Sequence, residues 1–174
     1  MAPSSYQPPM RGDKADSTTY SQTSGSNLAQ SLTTVSKVLE SKAGDLVSVR
    51  PADTIGTVVE VLRDKRIGAV LVTDQNGALV GILSERDIVR RMADTPGQTL
   101  PQSVGDLMTG DVQTCHPDEA LTDVLKRMSD GRFRHLPVVD DTGLCGMITI
   151  GDVVNFRLKE LEYEALKMKQ MIVG

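Results

Sequence analysis

The sequence predicts an α/β (α+β) fold made of two tandem copies of one strand-helix-strand-strand-helix unit, packed by their sheets about a pseudo-twofold axis. Three observations carry this. Residues 49–92 align with 115–158: Pro51, Asp74 and Gly77 match Pro117, Asp140 and Gly143 at an offset of 66, and Gly81, Ser84 and Asp87 match Gly146, Thr149 and Asp152 at 65. Within each copy the apolar spacing changes from a helical period to short strand-like runs bounded by turn residues. A unit of about sixty residues buries too small a share of its chain to stand alone, so two copies must share a core.

Each element follows from local chemistry. Each copy opens on a short apolar strand, "LVSV" or "VQTC". A proline and an aspartate come next (Pro51 and Asp53, Pro117 and Asp118) and are placed to cap a helix. The helix carries Ile55, Val58, Val59 and Leu62 in one copy, and Leu121, Val124, Leu125 and Met128 in the other, at three and four spacing. Two strands then pair through a hairpin; in the first copy "AVLVT" and "ALVGIL" flank "DQNG", whose Asn-Gly favours a tight turn. A second helix begins at the hydroxyl residue, Ser84 or Thr149. Residues 31–42 form a short amphipathic helix ahead of the first copy. The last helix outruns its counterpart, which stops near Ala93, and carries a stripe of Val154, Leu158, Leu161, Ala165, Met168 and Ile172 that suits a partner-facing surface. Met108, Met128, Met147, Met168 and Met171 fit core positions. The organisation is a disordered polar tail over 1–30, a first repeat with its leading helix over 31–98, a second repeat over 99–160 and a helical extension over 161–174.

Composition narrows the function. A net charge of −4 and a pI near 5.2 argue against a nucleic-acid wrapper, which needs a basic face. Two cysteines without CxxC spacing and two histidines disfavour a disulfide framework and a zinc site, so no metal is expected. No apolar run reaches the roughly 20 residues that span a bilayer. The first 26 residues lack the apolar region of a secretory signal and fit a mitochondrial presequence poorly, which leaves the cytoplasm as the expected compartment. Cys115 reads as a buried, inert thiol, and Cys145 as packed.

The chemistry lies in "GILSERDIV" (81–89) and "GMITIGDVV" (146–154). A hydroxyl residue three before an acid at a helix start is the pattern of a capping box. The same geometry offers unpaired amides at a positive helix end for a phosphate, with a carboxylate to accept ribose hydroxyls. The residues alone leave both readings open.

Over roughly residues 35 to 158, "IGAVLVTDQNGALVGILSERDIVRRM" and "RFRHLPVVDDTGLCGMITIGDVVNFRL" resemble a tandem pair of CBS domains, a Bateman module. The resemblance implies a non-catalytic regulatory module that holds an adenosine ligand in the clefts between repeats: AMP, ADP, ATP, NAD(H) or S-adenosylmethionine. It implies ribose contacts for Asp87 and Asp152 and phosphate contacts for Ser84 and Thr149. Arg86 joins the first site, where Gly151 stands in the second. Arg134 and His135 look like phosphate ligands, while Arg132 reads as a solvated loop charge. The resemblance also implies a homodimer and a regulated protein partner, with the module sensing energy or redox state. The alternative is a protein-interaction module, acting for example on a thioredoxin-like or enzyme partner, whose clefts are vestigial. An enzyme is disfavoured, because no nucleophile, metal cluster or His-carboxylate pair accompanies the aspartates.

Overall fold

The computed structural model describes residues 33–42 and 46–173. The expected polar tail over 1–30 lies outside the described residues. The chain runs α1 (Val35–Ser41), β1 (Ser48–Val49), α2 (Ile55–Lys65), β2 (Ala69–Thr73), β3 (Leu79–Ser84), α3 (Glu85–Asp94), α4 (Val104–Leu107), α5 (Leu121–Gly131), β4 (His135–Asp140), β5 (Gly143–Thr149) and α6 (Ile150–Val173). β1 pairs parallel with β2, and β2 antiparallel with β3; β4 and β5 form the second hairpin. The expected opening strand of the second copy is reduced to one parallel bridge, Cys115 to Val138, because Val112 and Gln113 before it turn aside to line a cleft.

The "DQNG" turn closes as its residues require. Asp74 Oδ1 accepts from the Asn76 and Ala78 amides, and Gly77 takes φ +84°, which a side chain disfavours. The caps of α2 and α5 differ from expectation. Thr54 caps α2, its oxygen accepting from the Thr57 amide at 3.2 Å, while Asp53 accepts from the Arg50 amide and closes the turn before it. At α5 the cap residue is Ala120, and Asp118 plays no part; Glu119 accepts from the His116 amide instead. A side-chain cap must sit one residue before the helix in extended backbone, and both aspartates stand too early. Ile55, Val58 and Leu62 are buried, but Val59 is exposed, so the buried stripe is narrower than the apolar spacing.

Two cores form, rather than the one shared core expected from the size of a repeat, because each repeat is completed by a helix from outside it; their membership crosses over. One gathers Ile55, Val58, Leu62, Val70, Val72, Leu83 and Ile88 of the first repeat with Val104 of α4. The other gathers Leu121, Val124, Met128, Leu136, Val138, Ile148 and Val153 of the second repeat with Val35 and Val38 of α1. The leading helix, adjacent to the first repeat in sequence, thus completes the second, and α4 from the connecting segment completes the first. Matched hydrogen bonds fix both. Val35 and Ser36 donate to the carbonyls of Glu119 and Pro117, as Val104 and Gly105 donate to those of Asp53 and Pro51. A Cβ at Gly146 would stand 2.7 Å from Leu39, and one at Gly81 2.5 Å from Met108, so glycine admits these side chains against each sheet.

Because α1 belongs to the second core, its truncation should loosen the other end of the domain. Val35→Ala is expected to cost about 2 kcal/mol, with amide exchange accelerating in α5, β4 and β5 before α2 and β2. Faster exchange in α2 and β2 alone would contradict the crossed packing.

Both faces of β2 are buried: Val70 and Val72 face the first core, and Ala69 and Leu71 lie on the opposite face. Near the junction of the repeats, the His135 ring at the start of β4 stands 3.4 Å from where a Cβ on Gly68 would lie. Among the methionines, Met128 is fully buried and Met108 packs on the first core, but Met168 and Met171 are exposed, because that part of α6 extends beyond anything that covers it among the described residues.

Candidate functional site

Both hydroxyl and acid pairs fold as capping boxes. Ser84 precedes α3, accepts from the Asp87 amide at 3.4 Å, and donates its own amide to Asp87 Oδ2 at 3.2 Å. Thr149 and Asp152 repeat this at 3.1 and 2.8 Å. Ser84 Oγ also donates to Asp87 Oδ2 at 2.5 Å. These bonds to Asp87 fall on Oδ2, so Oδ1 is free of the box and capping does not preclude a second acceptor role.

The two pairs sit in different surroundings. Ser84, Arg86 and Asp87 line a cleft of about 610 Å³ together with Arg134 and His135 from the other repeat, so it gathers five of the seven residues singled out from the sequence. The volume is in the range of small-molecule sites. The cleft adds Arg90 and Arg132; Arg132 is exposed, as expected of a solvated loop charge, and also borders the cleft. It caps the C-terminus of α5 in the left-handed conformation, φ +56°, as Arg66 caps α2 at φ +55°. Arg90 follows Arg86 by four on α3, a helical spacing visible in the sequence. Thr109, Asp111 and Gln113 come from the segment after α4, which pairs with β3 through reciprocal Ile82 and Thr109 bonds of 2.9 and 3.0 Å; no local motif announces this. Ile82, Val112 and Phe133 supply apolar wall.

Four guanidinium groups thus face Glu85, Asp87 and Asp111 around one cavity. Each planar fork can make paired charge-assisted bonds to a phosphate. Burial pushes the His135 imidazole below its ordinary 6.5, Glu85 opposes this, and Lys42 and Arg134 add to it. His135 therefore enters as a neutral ring at pH 7.

Thr149 and Asp152 do not join this cleft. Lys42, just past the end of α1, donates to Asp152 Oδ2 at 2.8 Å and to the Met147 carbonyl at 3.1 Å. Burial alone would raise the Asp152 pKa, but hydrogen bonds from Lys42 and Thr149 outweigh it and hold the carboxyl below the usual range. The crossed packing explains the asymmetry. α1 and α4 correspond at an offset of 69, which places Asp111 where the other half has Lys42. The positions matching Arg86, Arg90, Arg132 and Arg134 hold Gly151, Asn155, Arg66 and Gly68. A cavity of about 440 Å³ beside Asp152 is lined by α1 and α6. A third, of about 650 Å³ at the hairpin turns, has Asp111 as its one charged lining residue and so nothing that would select an anion.

Cys115 is buried and its thiol is pushed up to about 12, which suits an inert core residue. Cys145, expected to be packed, is exposed on β5. Among the described residues no cluster of three His, Cys, Asp or Glu is placed to hold a metal, and no helix is long and apolar enough to cross a membrane.

The sequence profile of the CBS domain matches residues 35–94 and 104–159. A CBS domain-containing protein, CBSX3, mitochondrial, from Arabidopsis thaliana is 32% identical over 150 residues, which cover 82% of this chain and 73% of that one. The crystal structure of the CBS-domain containing protein ATU1752 from Agrobacterium tumefaciens is similar at 40% identity and a TM-score of 0.70, over 72% of this chain and 94% of that one. The CBS domain pair of protein MJ0100, solved in complex with 5-methylthioadenosine and S-adenosylmethionine, is similar at 25% identity and a TM-score of 0.66, over 74% of this chain and 98% of that one.

Proposed function

Because this chain belongs to the CBS-domain family as a CBS pair, a regulatory module, we propose that it senses a phosphate-bearing adenine nucleotide, AMP, ADP, ATP or NAD(H), in the cleft of Ser84 and Asp87. One observation carries the reading: four arginines from both repeats converge on a single cavity that also holds a helix-start carboxylate. Asp87 accepts the ribose hydroxyls. Ser84, Arg86 and Arg90 from one side, and Arg132, Arg134 and His135 from the other, bind the phosphates. Ile82, Val112 and Phe133 border the base. The ligands of protein MJ0100 carry no phosphate, whereas guanidinium groups in this number are wasted on an uncharged or cationic adenosine and suit a phosphate chain.

The mechanism is differential binding. A ligand biases a partner only by preferring one of two arrangements. Here the phosphate groups are held by both repeats, so filling the cleft draws α3 towards the segment 131–135 and favours a closed seam. No bond is made or broken. The energy or redox state of the cell is read through which nucleotide fills the cleft, and a regulated protein partner responds. The cytoplasm is the compartment we propose; the Arabidopsis relative carries a mitochondrial name, and fractionation separates the two.

Calorimetric titration with AMP, ADP, ATP, NADH and S-adenosylmethionine tests the reading. A phosphate-bearing nucleotide is expected to bind, and to bind less well in Arg132→Ala/Arg134→Ala. Tighter binding of S-adenosylmethionine than of all the others, or no binding at all, would sink it and favour a protein-interaction module with vestigial clefts.

A phosphate beside His135 also couples binding to protons. Without ligand, burial lowers the folded-state pKa below 6.5, so the unfolded chain takes up the proton first. Stability is then fully present above 6.5 and falls as the pH drops through 6.5 towards the folded value. An anion stabilises the imidazolium and reverses that shift, so binding near pH 6.5 takes up a proton. Titration with NADH, whose phosphates do not themselves titrate near pH 6 as a phosphate monoester does, in two buffers of different ionisation enthalpy should detect the uptake, and His135→Gln should abolish it.

A further inference from the structure

The geometry points to a second ligand site, in the cavity at the two hairpin turns, that takes a hydroxylated organic amine bearing one positive charge and is coupled to the first cleft through Asp111. The site stands on its own geometry; only the coupling rests on the nucleotide reading.

The cavity, of about 650 Å³, is built from both repeats. Asn76 and Thr142 line it from equivalent positions at an offset of 66, and Leu79 and Leu144 from equivalent positions at 65. The segment that leads from Thr109, bridged to Ile82 of β3, to Cys115, bridged to Val138 of β4, spans the two hairpins. It breaks the symmetry by bringing Asp111 to the cavity.

The lining excludes most occupants. Asp111 is its one charged residue, and Asp74 and Asp140 accept from amides within the two turns, so the local field is negative and repels an anion. A bare metal ion would meet a single carboxylate, short of the roughly six to eight oxygens that calcium takes. The groups left without partners call for hydrogen bonds instead. Among the described residues, Gly110, Asp111 and Val112 make none through backbone or side chain, and neither the Asn76 side-chain amide nor the Thr114 hydroxyl has a partner. Leu79, Val139 and Leu144 supply apolar wall. An ammonium for Asp111, hydroxyls for Asn76, Thr114 and the free peptide groups, and a carbon face for the leucines describe a hydroxylated amine of amino-sugar size.

Asp111 and Val112 also border the first cleft. There the Asp111 carboxylate repels phosphate groups, and an ammonium bound on its other side offsets that repulsion. Filling either cavity therefore favours filling the other, by the same factor in both directions.

Ligand-observed NMR on the nucleotide-free full chain at pH 7 should show glucosamine binding and glucose not binding. Asp111→Asn, which removes the charge, and Leu144→Trp, which fills the space, should each abolish it. Calorimetry should find ATP bound about two- to fivefold more tightly in glucosamine hydrochloride than in sodium chloride of equal ionic strength. Asp111→Asn should bind ATP more tightly than the wild type does in sodium chloride, and Leu144→Trp should match the wild type there; both should ignore glucosamine. Glucose binding as well as glucosamine, an equal effect from magnesium chloride, or glucosamine binding that survives Asp111→Asn would overturn the proposal. If glucosamine binds and no nucleotide does, the nucleotide reading fails and this site stands; if ATP binds and glucosamine does not, this site alone fails.

Discussion

Asp87→Ala is expected to weaken nucleotide binding by about 30- to 100-fold, whereas Asp152→Ala should change it by no more than about threefold. The two substitutions remove equivalent atoms from equivalent capping boxes, so a general effect on helix starts would appear in both. What differs is what else the carboxylate faces. Asp87 borders a cavity with four arginines and has Oδ1 outside its box. A charge-assisted hydrogen bond to a ribose hydroxyl is worth about 1.5–3 kcal/mol, and a factor of ten costs about 1.4 kcal/mol, so the net loss of one such bond accounts for the range. Asp152 is already engaged by Lys42 at 2.8 Å. Each variant also loses a cap, worth about 1 kcal/mol of stability; a thermal melt of both proteins measures that separately from affinity. Equal losses in affinity, or a larger loss in Asp152→Ala, would reassign the site to the other half.

Much of this was legible in the sequence, for an identifiable reason. The repeat, the hairpins and the hydroxyl and acid pairs are local patterns, each set by residues a few positions apart. Ser84, Arg86 and Asp87 were visible because a strand running into a helix leaves its signature in consecutive residues. Arg134 and His135 came from the matching stretch of the family. Arg132 is exposed, as a loop charge would be, but that it also borders the cleft depends on contacts between the repeats that no local pattern displays. The exchange of α1 and α4 between cores was hidden for a deeper reason. Val35 and Val104 show the same apolar face whichever core receives them, and the choice is made by bonds to Glu119 and Asp53, far away in the chain. Lys42 inherits that invisibility: it is a surface lysine in sequence and a ligand of Asp152 in space. Met168 and Met171 were assigned to a core because periodicity reports that a face is apolar, not what covers it.

Lys42→Met is therefore the substitution expected to change the most, by opening a second adenosine site. Wild-type chain should bind one ligand, and the variant two, when titrated with an adenosine compound lacking phosphate such as 5-methylthioadenosine. Lysine and methionine are close in length, so the substitution removes the ammonium while leaving the stem that follows α1. The pair with Asp152 is partly exposed, with side chains 36% and 26% accessible, and such pairs contribute at most about 1 kcal/mol. Its bond falls on Oδ2, as the box's does, and leaves Oδ1 outside the box as in Asp87, so it acts as a plug through the ammonium's charge and place beside the carboxylate, and it can be modest in strength because the surroundings offer a competing ligand little. Gly151, Asn155 and Gly68 stand where the first cleft has Arg86, Arg90 and Arg134, and only Arg66 keeps its match in Arg132, so ATP gains little from the opened site and a neutral adenosine gains most. The same lysine helps to depress the Asp152 pKa against its burial. That contribution to stability is present above the ordinary 3.8 and is lost as the pH falls through the folded value, so the wild type and Lys42→Met should differ most near neutrality and converge in acid. If the nucleotide still fills the Asp87 cleft but the stoichiometry stays at one in Lys42→Met, then Lys42 is a structural tie rather than a plug, and the second half of the repeat has lost its site through its missing arginines alone.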